Sequence, residues 1–191
     1  MLDTAIRYVP VAVFVGVLAA TFLRGRAVKA EGGVSAWAFT AARGRQRLTG
    51  ALFAVAGAAL FAVTAAVVVS DGLPQGRHFV GAGLALTGGA LVIVAQRQMR
   101  VAWRVGVRPG DAPQFIRTGL FRFSRNPIFV GMILMGLGAA LALGAWWGWF
   151  SLAMFAVACK LQVHIEEAHL AAAFGSDYAE YRAFVHRWVG W

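Results

Sequence analysis

The chain has 191 residues, of which 60% are hydrophobic and only 14% charged, against roughly 25% charged in an average soluble domain. That composition excludes an ordinary soluble globule and points to a chain built mostly of bilayer-crossing helices. A net charge of +10 raises nucleic acid as a partner, but the basic residues gather in two loops between apolar runs, which membrane topology explains without it.

Five apolar runs of near-helical span follow one another: Tyr8 to Leu23, Leu48 to Val69, Phe79 to Ala95, Ile128 to Leu143, and Trp146 to Val163. A hydrocarbon core of about 30 Å needs about 20 such residues, so the first, third and fourth runs borrow from their flanks. The first has no clear small-residue cleavage site and reads as a span rather than a signal peptide. Arg24, Arg26, Lys29, Arg43, Arg45 and Arg47 follow it, and Arg97, Arg100, Arg104, Arg108, Arg117, Arg122 and Arg125 follow the third run. The second connection carries only Arg77, and the fourth, Gly144-Ala145-Trp146-Trp147, carries no basic residue. Basic loops stay on the cytoplasmic side, so the N-terminus is expected outside and the C-terminus inside, with a bacterial inner membrane as the setting. The same arginines suit anionic lipid headgroups, which makes the bilayer the first expected partner.

Glycines inside the runs, among them Gly81, Gly83, Gly88, Gly89, Gly131, Gly136 and Gly138, are expected to let helix backbones approach closely. Trp146, Trp147 and Trp149 at the outer turn read as interfacial anchors. If the third helix continues past the membrane, Arg97, Arg100 and Arg104 share one face. Beyond it, Phe115, Ile116, Leu120, Phe121 and Phe123 predict a loop that packs on the inner end of the bundle. No soluble domain can be cut out. The expected architecture is all-α: one polytopic membrane bundle over residues 1–191, of about five transmembrane helices plus a C-terminal amphipathic helix, with its chemistry in residues 96–188.

Asn126-Pro127 opens the fourth run, Asn as an N-cap and Pro at the first helical position, where its missing N–H costs nothing. The fifth run leaves the membrane through Gln162, His164, Glu166, Glu167 and His169. At 100° per residue, Gln162, Glu166 and His169 form one stripe, and Lys160, His164 and Glu167 form another nearly opposite. A charge at the bilayer centre costs about 2.5–3.5 kcal/mol, so one stripe faces protein and the other water or headgroups, where Lys160, His164 and Glu167 can satisfy one another. His164 and His169 are five apart, which matches neither common helical zinc spacing, and no metal is expected. The single cysteine, Cys159, excludes an internal disulfide and reads as packing. Residues Leu170 to Trp191, with Phe174, Tyr178, Tyr181, Val185 and Trp188 among charges, form one or two amphipathic helices divided near Gly175 that anchor at the interface or cover a pocket.

Taken together, Gly119-Leu120-Phe121-Arg122-Phe123-Ser124-Arg125-Asn126-Pro127-Ile128-Phe129-Val130-Gly131, then Glu166-Glu167, then Phe174-Gly175 with Tyr178 and Tyr181, resemble the integral membrane methyltransferases that include isoprenylcysteine carboxyl methyltransferases and phospholipid methyltransferase-like proteins. The resemblance implies S-adenosylmethionine as the cofactor and a lipophilic or small methyl acceptor. Pro113, Gln114, Phe115, Ile116, Phe121, Asn126, Pro127, Ile128, Phe129 and Glu166 are the cofactor-binding positions it implies. Arg125 and Glu167 are the expected catalytic residues, and Gln162 the expected substrate contact. Two departures bear on the acceptor. Asn126 stands where the family has His and keeps hydrogen bonding without a titratable ring. Gln162 stands where the carboxyl methyltransferases have Arg, and its amide lacks the charged fork that holds a carboxylate.

Methyl transfer from a sulfonium needs in-line positioning and exclusion of water more than acid–base groups. If the acceptor must lose a proton, Glu166, Glu167 and His169 are at hand. The alternatives are an NADPH-dependent membrane reductase of the sterol reductase type, against which Gly131-Met132 stands in place of Gly-Glu, and a non-catalytic membrane scaffold.

Overall fold

Each apolar run becomes a helix longer than the run itself, because backbone hydrogen bonding continues through the polar flanks. The computed structural model describes residues 5–32, 35–37, 44–70, 75–106 and 115–189. Its five long helices are α1 (Val9–Gly32), α2 (Arg45–Val69), α3 (Gly76–Met99), α4 (Pro127–Leu143) and α5 (Trp146–Phe184). Among the described residues there is no strand, only one isolated bridge between Trp37 and Val105. Four of the helices are long and apolar enough to cross a membrane. The 17 residues of α4 rise only about 25 Å. The protein is an all-α helical bundle and an integral membrane protein.

The tightest seam is between α3 and α4. A Cβ on Gly88 would lie 2.5 Å from the carbonyl oxygen of Gly131, and one on Gly81 would lie 2.5 Å from that of Gly138. Seven residues separate the two glycines on each helix, so both pairs lie on one face and only glycine permits the approach. Gly89 faces Val13 of α1, and Gly136 faces Leu60 of α2 and Leu152 of α5. Gly83 has no atom within 4 Å of its notional Cβ, so of the glycines named from the sequence it alone is not in a helix contact.

Three local features differ from the sequence expectation. First, α3 stops at Met99, because Arg100 turns the chain with φ 49° into a short 3-10 turn, Arg100–Ala102. Arg97, Arg100 and Arg104 therefore do not share one helical face. The turn lets Trp103 (2% exposed) bury against Val28 and Ala36, which a continuing helix would prevent. Second, α1 continues to Gly32, so Arg24, Arg26 and Lys29 ride on the helix rather than in a loop. Third, the C-terminal helix ends at Phe184, short of the expected Trp191, and residues 185–189 form an irregular strap; the expected division near Gly175 is present as a kink, at φ 48° and ψ −117°.

At one end of the bundle Gly144 adopts the left-handed conformation that closes α4, and Trp146 and Trp149 are exposed beside it, as membrane-facing anchors are. Cys159 is fully buried among Leu60, Phe129, Phe155 and Val163. The other end gathers the start of α4, the stretch of α5 past Val163 and the final residues. Replacing Gly131 by Val should lower thermal stability in detergent by about 1–3 kcal/mol, since a side chain there must push the Gly88 backbone away. Gly16→Ala, where no atom lies within 4 Å, should leave the melting temperature unchanged or slightly raised.

Candidate active site

A chain that enters a helix through Ser-Arg-Asn-Pro has polar groups to satisfy at the membrane edge, and here the C-terminal strap satisfies them. The Arg125 N–H donates to the His186 carbonyl at 3.0 Å. Asn126 N–H donates to Ser124 Oγ at 3.0 Å. The Asn126 side chain does not cap α4. Instead its Nδ2 donates to the Arg187 carbonyl at 3.1 Å and to Glu167 Oε1 at 3.3 Å. Pro127 does occupy the first turn, as expected.

Glu167 is the centre of this arrangement. Arg187 Nε lies 3.2 and 3.1 Å from its two oxygens, and Arg187 Nη2 donates to Oε2 at 2.8 Å. Arg125 Nε stands 3.6 Å from Oε1. The expected grouping of Glu167 with Lys160 and His164 does not form: both of those are exposed, and His164 Nδ1 contacts the Lys160 carbonyl at 2.6 Å. The apolar part of α5 ends at Val163, so both glutamates lie past the membrane-crossing stretch. Burial alone would raise the Glu167 pKa, but the Arg187 hydrogen bonds and the Arg125 and Arg187 charges outweigh it and hold the carboxyl below its ordinary value.

Glu166 has the opposite environment. Among the described residues its only hydrogen bond is from Gln162 Nε2, at 3.3 Å, and burial pushes its pKa up to about 7 against that bond. Gln162 in turn accepts from Thr49 Oγ1 at 3.5 Å, so α2 touches the same polar row.

Aromatic rings wall the site on the other side. Phe115 stacks on Phe174 at 5.1 Å and meets Tyr178 and Tyr181 at 5.7 and 5.1 Å. Tyr181 Oη donates to the Phe121 carbonyl at 2.6 Å, which fixes the short turn Gly119–Arg122. Gly119 sits at φ 64° against the Gln98 amide, whose oxygen accepts from the Leu120 N–H at 2.8 Å.

Two cavities meet here. A small one of about 90 Å³ is lined by Phe115, Ile116, Arg125, Asn126, Glu166, Glu167, Leu170, Tyr178 and Tyr181, with Met99. A larger, mostly apolar one of about 810 Å³ runs between α1, α2, α4 and α5, and Met99, Asn126 and Glu166 line both. Three buried polar atoms of residues lining the small cavity, Arg125 Nε and Nη1 and Tyr178 Oη, make no hydrogen bond among the described residues.

Of the residues named from the sequence, Phe115, Ile116, Arg125, Asn126, Glu166 and Glu167 converge on the small cavity. Pro127, Ile128, Phe129 and Gln162 line the large one instead. Phe121 packs behind the site and acts through its carbonyl. Pro113 and Gln114 lie outside the described residues. Sequence reasoning missed Arg187 and the strap, which ends with Trp188 packed on the cluster around Phe129. Its one signal was an arginine beside aromatic residues after the last amphipathic helix.

Removing Arg187 leaves a buried carboxylate beside a more distant Arg125. Because the Arg187 side chain is itself 31% exposed, Arg187→Ala should cost about 2 kcal/mol, below the 3–5 typical of fully buried pairs. The depressed Glu167 pKa means this contribution is present above the unfolded value of about 4.3 and is lost as pH falls through the lower folded value. The melting temperature should therefore fall with pH across that acid range in the wild type and fall less in Arg187→Ala.

A family model described as phospholipid methyltransferase matches residues 76–177, more than half of the chain. A comparison with curated proteins gave no match. The matched stretch begins at α3 and passes Gly175, so it holds both arms of the site, from Arg125-Asn126 to Glu166-Glu167, and leaves out α1, α2 and the strap. With the all-α membrane bundle and the polar mouth between α4 and α5, this match shows that the chain belongs to the phospholipid methyltransferase family, a family of methyltransferases.

Proposed function

We propose that this protein transfers a methyl group from S-adenosylmethionine to a lipophilic acceptor at the cytoplasmic edge of the membrane, the C-terminus lying inside. The observation that carries the reading is the meeting of two unlike cavities at Asn126, Met99 and Glu166, one with charged side chains among its lining, the other almost wholly apolar and bounded by helices. A water-soluble donor and a membrane-dissolved acceptor need such a junction.

The residues of the small cavity fit the amino-acid end of the donor. Arg125 Nη1 and Tyr178 Oη are buried donors without a hydrogen bond, and an α-carboxylate supplies the acceptors they lack. Glu166, which has no cationic partner among the described residues, suits an ammonium group. At about 90 Å³ the cavity is well below the roughly 300–1,000 Å³ of sites that enclose a whole ligand, so it accounts for that end alone. When bound, S-adenosylmethionine supplies an electrophilic methyl on a sulfonium; as the acceptor's lone pair forms the new bond, the carbon–sulfur bond breaks and leaves a neutral thioether.

The protein's part is orientation. Glu167 is a positioning residue in this reading: with both oxygens engaged it holds Arg125 and Asn126 in place and does not remove a proton. Gln162 presents a neutral amide to the head of the acceptor from the larger cavity, which favours a hydrogen-bonding head over a free carboxylate. The aromatic wall of Phe115, Phe174, Tyr178 and Tyr181 keeps water from the reacting methyl.

Calorimetric titration of detergent-purified protein with S-adenosylmethionine or its demethylated product should give saturable binding. Glu166→Gln should weaken it about tenfold or more, as loss of a charged partner does. Ionised Glu166 is the binding form, so affinity should fall about tenfold per pH unit well below pH 7, and fall again where the donor's own amine loses its proton near about pH 8. Binding that is flat across this range, or absent in the wild type, overturns the reading.

A further inference from the structure

The large cavity has a floor. From Arg47 at its mouth, the wall formed by α2 runs to Phe61, 14 residues on and therefore about 21 Å deeper. At that level Phe61 meets Phe14 of α1, with ring centroids 5.3 Å apart and the planes inclined at 51°. Past the pair, Val63, Thr64 and Val67 are buried to 2% exposure or less, so α2 packs shut against its neighbours. Between mouth and floor, Gly50, Ala51, Ala54, Gly57 and Ala58 give α2 a stripe of small residues along the space, with Phe53 and Leu60 beside it. A void of about 810 Å³ with an apolar lining, partly open to its surroundings, reaching the polar site at one end and two rings at the other, has the form of a measured slot.

We infer that the Phe14–Phe61 pair sets the length of apolar chain an acceptor can carry. This rests on the methyltransferase reading, and it concerns residues before position 76, outside the part of the chain that the family model matches. Transfer of a chain from bilayer to slot gains little, since lipid is as apolar as the slot. Discrimination therefore comes from steric stop: a chain that reaches the rings with its head still at Glu166 fits, and a longer one must displace the rings or withdraw its head from the methyl donor. Forcing one or two extra methylenes against the rings should weaken productive binding about tenfold.

The test uses full-length protein in lipid nanodiscs and a series of saturated single-chain ethanolamine phospholipids, octyl to octadecyl, each with a diazirine on the terminal carbon. After photolysis, mass spectrometry locates the label. In the wild type, one intermediate length should label Phe14, Leu60 or Phe61, with longer chains labelling the slot about tenfold less. Phe61→Ala should move the best length upward. Ala54→Phe, at an exposed position where a ring fills the slot without displacing a core neighbour, should move it downward. Label found only on outward residues such as Val55, or a length profile unchanged in both variants, overturns the inference. Calorimetric titration with S-adenosylmethionine on the same preparations separates the two claims: loss of donor binding in the wild type refutes the methyltransferase reading, whereas donor binding with an unchanged length profile refutes the slot alone.

Discussion

Glu167 is a buried carboxylate at a membrane edge, and such a group persists only where cations and donors surround it. Here they come from three places in the chain: Arg125 and Asn126 ahead of α4, and Arg187 from the strap. Because Arg187 also offers its carbonyl to Asn126 and Ser124, one residue ties the strap to the start of α4 and to α5 together. The Tyr178–Tyr181 face and Trp188 follow the strap into place, and with them the ring wall around Phe115. The small cavity exists because this node holds its sides apart at a fixed distance.

The division of labour between the neighbouring glutamates follows from the same geometry. One helix position separates them, which turns Glu167 toward the arginines and Glu166 toward the junction of the cavities. The first is surrounded by fixed charges that hold its carboxyl low. The second has, among the described residues, only the Gln162 amide as a hydrogen-bond partner, and burial pushes its pKa up to about 7. Two adjacent carboxylates thus differ because their surroundings differ, not their chemistry.

Much of this was legible in the sequence. The five runs gave the helices, and Arg125, Asn126 and Glu166-Glu167 did converge. Gly81, Gly88, Gly131 and Gly138 were rightly expected to bring helices together, since no other residue permits such approach. What failed was of two kinds. Helical periodicity assigned Glu167 to a stripe with Lys160 and His164, because a periodicity argument sees only partners on the same helix; its real partner, Arg187, is 20 residues away on an irregular strap. Likewise Asn126 was expected to cap α4 from local preference, but Glu167 and the Arg187 carbonyl compete for its amide, and a tertiary charge outweighs a local cap. The slot between α1 and α2 was not legible either, since a void leaves no signature in a run of alanines and glycines.

In the proposed reaction, donor and acceptor meet at the junction of the two cavities. The direct measurement is to supply nanodisc-reconstituted protein with S-adenosylmethionine tritiated in its methyl group, together with a total bacterial lipid extract, and to count tritium in the organic phase. Label should appear in extractable lipid in a protein-dependent, time-dependent way and be lost with Glu166→Gln. Donor that binds but leaves all of its label in the aqueous phase or on the protein would contradict this reaction.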